Sequence, residues 1–340
     1  MQVIIPLAGK GTRLRPHTHL TPKPLLKVAG RTVMDWVMDR LKGLDVTELI
    51  FITGHLKEQV EEFARARYKI PSRFIEQKVQ DGTAGAINLA RPHVKGPVLI
   101  IFVDTVFEAD LTLINRTDAD GIIWAKEVED YQRFGVVVTD ADGYMTRIVE
   151  KPSTPISKLA NIGLYYIRAV DSLWKGIDHV LASPSNKGEW YLTDAFQWMI
   201  EQGKRILTAE VGGWYDCGKL DTLLETNEIL LNKGAARRRD FPGVTIHDPV
   251  YIEDGVTIER SEIGPNVSLE AGTRVTGSTL RHTIVGKESK LTDVRLEGSM
   301  LGNRVVVAGL RGSISLGDDS ELTAQSPAER SPSHDARGTL

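Results

Sequence analysis

The chain has 340 residues, 41% of them apolar and 26% charged, with 42 basic and 45 acidic side chains and a formal net charge of −3. That length admits one large domain or two, the balance is that of an ordinary globular protein, and the charge removes the electrostatic case for nucleic acid as a partner. The longest apolar stretch, Val98–Val103, is far too short to span a membrane. No basic, cleavable segment precedes Val3-Ile4-Ile5, and the single Cys217 cannot form an intrachain disulfide. The expectation is a cytoplasmic protein.

In chain order, Val3–Leu7 reads as a buried strand, Val33–Leu41 as an amphipathic helix and Leu49–Thr53 as a strand. Val98–Val103 reads as another buried strand, and Trp190–Gln202 and Leu220–Leu231 as helices. Strands alternating with helices predict an α/β domain over residues 1–233, Rossmann-like, with a mostly parallel sheet. Ligands of such sheets bind beyond the carboxyl ends of the strands. Residues 234–243 read as a linker, and Arg237-Arg238-Arg239 as a solvated run rather than a binding patch.

From Val244 the periodicity changes. Val244, Val250 and Val256 fall six apart, Ile263, Leu269 and Val275 repeat the spacing, and so do Val285 and Leu291. Aliphatic-glycine pairs recur at Ile263-Gly264, Val285-Gly286, Leu301-Gly302 and Leu316-Gly317. This predicts a left-handed hexapeptide-repeat parallel β-helix over 244–322. An antiparallel β domain is the alternative, because the register slips after Val256 and after Val275. Residues 323–340 are polar and read as a disordered tail.

The first strand runs into Leu7-Ala8-Gly9-Lys10-Gly11-Thr12-Arg13-Leu14-Arg15-Pro16, and Pro22-Lys23-Pro24 follows. Glycine after a strand lets backbone N–H groups approach a phosphate, Arg13 can fork two donors onto it, and Lys23 adds a mobile charge. Leu14 occupies the third glycine position of the dinucleotide fingerprint, so that reading fails. Gly213–Lys219 has P-loop spacing, but Leu220 replaces the required Ser/Thr and Trp214-Tyr215 crowd the loop. His17, His19, His247 and His282 lack metal-ligand spacing.

Taken whole, Gly9-x-Gly11-Thr12-Arg13-Leu14-x-Pro16 with Pro22-Lys23-Pro24 resembles the signature of the sugar-1-phosphate nucleotidyltransferases, the nucleotide-sugar pyrophosphorylases. The resemblance continues in order to Thr226-Asn227 and lies closest to the glucose-1-phosphate thymidylyltransferases. It implies nucleotide contacts from Leu7, Ala8, Gly9, Gly11, Thr12, Arg13 and Thr83, with Gln77 and Gly82 reading the base. It implies that Asp104 and Asp216 bind Mg²⁺ and that Arg13 and Lys23 join them in catalysis. The family usually has glycine where Val103 precedes Asp104. Gly135, Glu150, Lys151, Asn161, Gly163, Tyr165, Lys187 and Trp214 resemble the residues that hold the sugar phosphate. A β-helix after the catalytic domain is also a family arrangement, and a homo-oligomer is the family expectation.

The implied reaction joins a nucleoside triphosphate, dTTP or UTP first, to a sugar-1-phosphate, glucose-1-phosphate first, and releases pyrophosphate. Mannose-1-phosphate guanylyltransferase is the alternative. A non-catalytic regulatory subunit would be expected to lack Lys23, Asp104 or Asp216, and all three are present. An acyltransferase would need a basic histidine, for which His282 is the candidate.

Overall fold

The protein is described here from a computed structural model covering residues 1–324; the expected tail at 323–340 lies outside the described residues except for its first two positions. Thr323 closes a strand, Glu321–Thr323. Among the described residues no helix is long and apolar enough to cross a membrane. The described residues form two compact units, Met1–Lys27 with Arg31–Thr226, and Val28–Gly30 with the described residues from Asn227 onward.

Four parallel strands build the first half of the first unit's sheet: β1 (Gln2–Pro6), β2 (Glu48–Thr53), β3 (Ser72–Glu76) and β4 (Val98–Ile101). β1 pairs with both β2 and β4, and β2 with β3, all parallel. Val3 to Ile5, Leu49 to Ile52 and Val98 to Ile101 are all fully buried, as continuous apolar runs in a parallel sheet covered on both faces should be. β4 stops at Ile101, earlier than the predicted end, and the chain turns into a separate strand, β5 (Thr105–Glu108).

The other half of the sheet is largely antiparallel. It comprises β6 (Gly121–Glu127), β7 (Gly135–Thr139), β8 (Met145–Glu150) and β9 (Leu159–Ile167), with β10 (Ile206–Glu210) at its edge. β9 is the hinge between the halves, pairing antiparallel with β4, β6 and β7. The mostly parallel sheet read from the sequence therefore holds for β1 to β4, and only β10 on β6 repeats that sense beyond them. A last strand, β11 (Gly213–Asp216), leaves the sheet to pair antiparallel with β5.

The three predicted helices form, with shorter bounds, and among the described residues three further helices join them that the sequence reading did not name. The first, α1 (Val33–Met38), is N-capped by Thr32, whose side chain accepts from the Asp35 N–H at 3.0 Å. It is followed by α2 (Lys57–Arg67), α3 (Thr83–Asn88), α4 (Val170–Ala182), α5 (Leu192–Glu201) and α6 (Leu220–Leu230). α3, α4 and α5 bury Ile87, Leu173, Ile177, Phe196 and Met199 in one core with Ile4, Ile100 and Ile123 of the sheet.

In the second unit every strand pair is parallel, which excludes the antiparallel alternative and defines a β-helix. Val250, Val267, Val275, Leu291 and Val307 stack inside it with almost no exposure. Val250 lies over Val267, Leu269 over Val285 and Leu301 over Leu316, so coils run one, two or three residues short of three six-residue repeats. That shortening is the cause of the register slips. At one corner Asn266 and His282 both adopt positive φ and hydrogen-bond each other at 3.2 Å. Residues assigned to the linker also join this unit. The Arg237 N–H donates to the Val250 carbonyl, Arg237 and Arg239 pair with Asp254, and Arg238 pairs with Asp240 and Asp248.

Buried hydroxyls complete the coils. Ser278, Ser289 and Ser299 accept at 3.1 Å from the N–H groups of Val294, Val305 and Ile314. Because Ser289 is fully buried, Ser289→Ala strands an N–H group away from water, at a cost of about 1–3 kcal/mol. Urea or thermal unfolding of this variant should show a loss of that size. A loss near zero would mean that water or a local shift re-pairs the Val305 N–H.

Candidate active site

Past the end of β1 the chain makes the expected glycine-rich turn. Gly11 has φ 61°, and an added Cβ would lie 3.0 Å from the Thr18 side chain and 3.2 Å from Lys23. At Gly9 an added Cβ would meet nothing within 4 Å, so that side of the turn is open. Leu7, Ala8 and Leu14 are buried beneath the turn, while Gly9, Thr12 and Arg13 are exposed on it. The sequence thus divides the turn into anchors and presented groups.

The two aspartates named as metal ligands come together through backbone pairing. Asp216 is in register with Thr105, and the Cys217 N–H donates to the Asp104 carbonyl at 3.0 Å. Asp216 is held twice more, its Oδ1 accepting from the Gly218 N–H at 2.8 Å and its Oδ2 from the Thr222 hydroxyl at 3.1 Å. Both carboxylates face cations: Lys23 Nζ is 3.7 Å from Asp104, and Arg133 lies 3.8 Å from Asp216. Arg13 reaches the same turn, since a Cβ on Gly218 would sit 3.3 Å from its guanidinium. Oxygen-only carboxylates of this kind suit a hard divalent cation. Cys217, fully buried beneath them, has its thiol pushed up to about 12 by burial.

Arg133 was not singled out in the sequence, where nothing in its spacing marks it. Its guanidinium is bonded to Asp130 at 2.9 Å and rests 5.4 Å from the centre of the Phe134 ring. Phe134 in turn meets Trp214 edge-on at 4.9 Å. The Trp214 indole N–H is buried without a hydrogen-bond partner, a polar atom left available in the wall of the site.

A second group of predicted residues converges on the antiparallel half of the sheet. β8 and β7 put Glu150 opposite Gly135, and Asn161 Nδ2 donates to the Gly135 carbonyl at 2.8 Å. The Tyr165 hydroxyl donates to Asn161 Oδ1. Gly135 is required by closeness: an added Cβ would lie 2.3 Å from Asn161 Nδ2 and 2.8 Å from Glu150 Oε2. Gly163 has φ 76°, and its Cβ would fall 2.9 Å from Phe102. Thr193, which the sequence showed only as part of a helix, donates to Glu150 Oε2 at 3.1 Å. Lys151 stands at the rim, 3.7 Å from Glu150 and 5.1 Å from the Tyr191 ring centre.

Other predicted residues are committed differently. Thr83 Oγ1 accepts from the Leu192 N–H at 2.8 Å, a structural bond. Gly82 has φ 102° and packs so tightly that a Cβ would lie 2.4 Å from the Trp190 carbonyl oxygen. Gln77 is buried, and both hydrogens of its amide are spent, on Asp81 Oδ1 at 2.8 Å and the Gly82 carbonyl at 3.3 Å. Lys187 sits with Gly188 at the tip of an exposed turn closed by Asn186 and Glu189, and the structure does not bring it to the other residues by any bond among those described. In the β-helix His282 is engaged by Asn266 at 3.2 Å and Glu228 at 3.5 Å.

The first unit matches a known family. The nucleotidyl transferase family model covers residues 2–233, and the chain belongs to that family and is an enzyme of the nucleotidyltransferase class. The bifunctional protein GlmU of Methanococcus aeolicus is 32% identical over 342 residues, spanning 92% of this chain and 81% of that protein. A glucose-1-phosphate thymidylyltransferase of Streptomyces antibioticus is 29% identical over 96% of this chain and 100% of its own length. The UTP–glucose-1-phosphate uridylyltransferase AglF of Haloferax volcanii is 30% identical over 63% of this chain and 89% of its own. A solved putative glucose-1-phosphate thymidylyltransferase from Bacillus anthracis superimposes with TM-score 0.59 at 27% identity, over 67% of this chain and 94% of that one. The resemblance drawn from the glycine-rich motif is borne out.

Glu150 offers a test of the site's electrostatics. Burial raises its carboxyl above the ordinary value of 4.5, with Lys151 pulling the other way. The folded carboxyl keeps its proton to higher pH than the unfolded one. Its contribution to stability is therefore complete below 4.5 and is lost as pH rises through the raised value. Near neutral pH, Glu150→Gln should melt above the native protein, and the gap should close on acidification. A gap independent of pH would mean that Glu150 is not the group responsible.

Proposed function

We propose that the protein transfers a nucleotidyl group from UTP or dTTP to glucose-1-phosphate, giving a nucleoside-diphosphate-glucose and pyrophosphate, with Mg²⁺ as the divalent ion. The observation that carries this reading is the β5–β11 pairing. It brings the backbone at Asp216 and Cys217 against that at Asp104 and Thr105, past the end of β4, with Lys23 facing Asp104, Arg133 facing Asp216 and Arg13 beside Gly218. Two of the relatives are named for transfer to glucose-1-phosphate, one as a thymidylyl- and one as a uridylyltransferase, which supports the choice of base and sugar.

In this scheme an oxygen of the sugar phosphate attacks the α-phosphorus in line. The new P–O bond forms as the bond to the bridging oxygen breaks, and that oxygen leaves on pyrophosphate. The nucleophile is already anionic near neutral pH, so no side chain need take a proton. The residues supply placement and charge. Asp104 and Asp216 would hold the Mg²⁺, which neutralises charge on the α-phosphate and the leaving oxygen. Arg13 and Lys23 face the triphosphate, Gln77 and Gly82 the base. Gly135, Glu150 and Asn161 line the sugar, and Lys151 directs its phosphate. Lys187, on its exposed turn, is outside this scheme.

Pyrophosphate release, measured for five nucleoside triphosphates against several sugar-1-phosphates, should be fastest with UTP or dTTP and glucose-1-phosphate. Asp104→Asn and Asp216→Asn should each abolish most turnover, because the amide keeps the shape and removes the charge that holds the ion. Near-native turnover of either variant at limiting Mg²⁺ would sink the metal assignment. Lys151→Ala should raise KM for the sugar phosphate far more than for the triphosphate.

A further inference from the structure

Gln77 can present a base with a donor, an acceptor or both, and its surroundings leave one of these. Its Nε2 carries two hydrogens, and both are taken, by Asp81 Oδ1 at 2.8 Å and the Gly82 carbonyl at 3.3 Å. Turned over, the amide would aim its oxygen at a carboxylate and a carbonyl, two acceptors, so the orientation is chemically determined. The Gln77 backbone is tied as well, its N–H donating to the Thr53 carbonyl at 2.8 Å. Among the described residues no group donates to Gln77 Oε1.

Asp81 cannot easily withdraw from this arrangement. Its carboxylate lies against the first turn of α3, so close that a Cβ on Gly85 would sit 2.2 Å from Oδ1 and 2.4 Å from Cγ. Its carbonyl accepts from the Trp190 N–H at 2.9 Å. Gly85 is therefore what makes room for the carboxylate that faces Gln77.

We propose that Asp81 is a positioning residue that fixes the polarity of Gln77, so that an incoming base meets an acceptor and not a donor. This rests on the reading that Gln77 faces the base. The nucleotides it selects are those with N–H at the central ring nitrogen of the pairing edge. Uracil and thymine offer N3–H and guanine offers N1–H, whereas cytosine N3 and adenine N1 present a lone pair to the amide oxygen. The proposal thus assigns the substrate to the keto-base triphosphates and places the discrimination against cytosine in a residue that need not touch the nucleotide.

The test compares UTP with CTP, by kcat/KM and, independently of turnover, by isothermal titration of each nucleotide with Mg²⁺. The native protein should favour UTP by at least about tenfold, the cost of one misdirected buried group. In Asp81→Asn the new side chain can rotate to offer its own N–H to a reversed Gln77, and the UTP:CTP ratio should fall about tenfold. The change should appear in KM for the triphosphate, with KM for the sugar phosphate unmoved. Gly85→Ala, which displaces the carboxylate without changing its charge, should shift the ratio in the same direction and serves if Asp81→Asn folds poorly. Unchanged ratios in both variants, with Gln77→Ala altering them, would overturn the role of Asp81 alone. Unchanged ratios in Gln77→Ala would instead remove the underlying reading that Gln77 faces the base. A native preference for CTP would overturn the assigned polarity directly.

Discussion

Nothing in the Asp104 and Asp216 side chains, two carboxylates of like charge, would bring their distant stretches of chain together. The backbone does it. Thr105–Glu108 and Gly213–Asp216 form an antiparallel pair outside the main sheet, and the Cys217 N–H continues the ladder to the Asp104 carbonyl. A cation faces each carboxylate, Lys23 the first and Arg133 the second. Bound phosphates would bring negative charge to these same cations, so the charge balance of the site is one that ligand binding redistributes rather than creates.

The group of residues around Gly135 is built by closeness rather than by charge. Gly135 allows Asn161 and Glu150 to approach a strand more nearly than any Cβ would permit, and the Tyr165 hydroxyl fixes which end of the Asn161 amide points where. Glu150 is half-buried and accepts from the Thr193 hydroxyl, and desolvation raises its carboxyl above the ordinary value. The Gln77 amide is likewise held in one orientation, by Asp81 Oδ1 and the Gly82 carbonyl.

The second unit shows a different economy. Its aliphatic stack supplies the apolar interior, and serine hydroxyls accept from backbone N–H groups one coil further on. Corners bear the conformational cost. Asn266, His282 and Asp293 take positive φ there, where a polar side chain can bond locally in compensation. Coils of unequal length still stack in register, so an imperfect repeat in sequence gives a continuous ladder.

Much of this was legible in the chain alone. Apolar runs such as Val98–Ile101 announce buried parallel strands, the six-residue aliphatic spacing announces a β-helix, and the glycine-rich string after β1 announces phosphate chemistry, because each depends on neighbours close in sequence. The antiparallel half of the sheet was not legible, since buried apolar runs such as 122–125 and 164–167 read like those of the parallel half and carry no mark of strand direction. Arg133, Thr193 and Asp81 were equally silent, being ordinary surface residue types whose meaning comes from partners distant along the chain or from the rotation of one amide. Sequence by itself determined which groups the chain could offer. Only the tertiary structure decided which were already spent on each other, because a hydrogen bond or an ion pair depends on distances that no local spacing encodes.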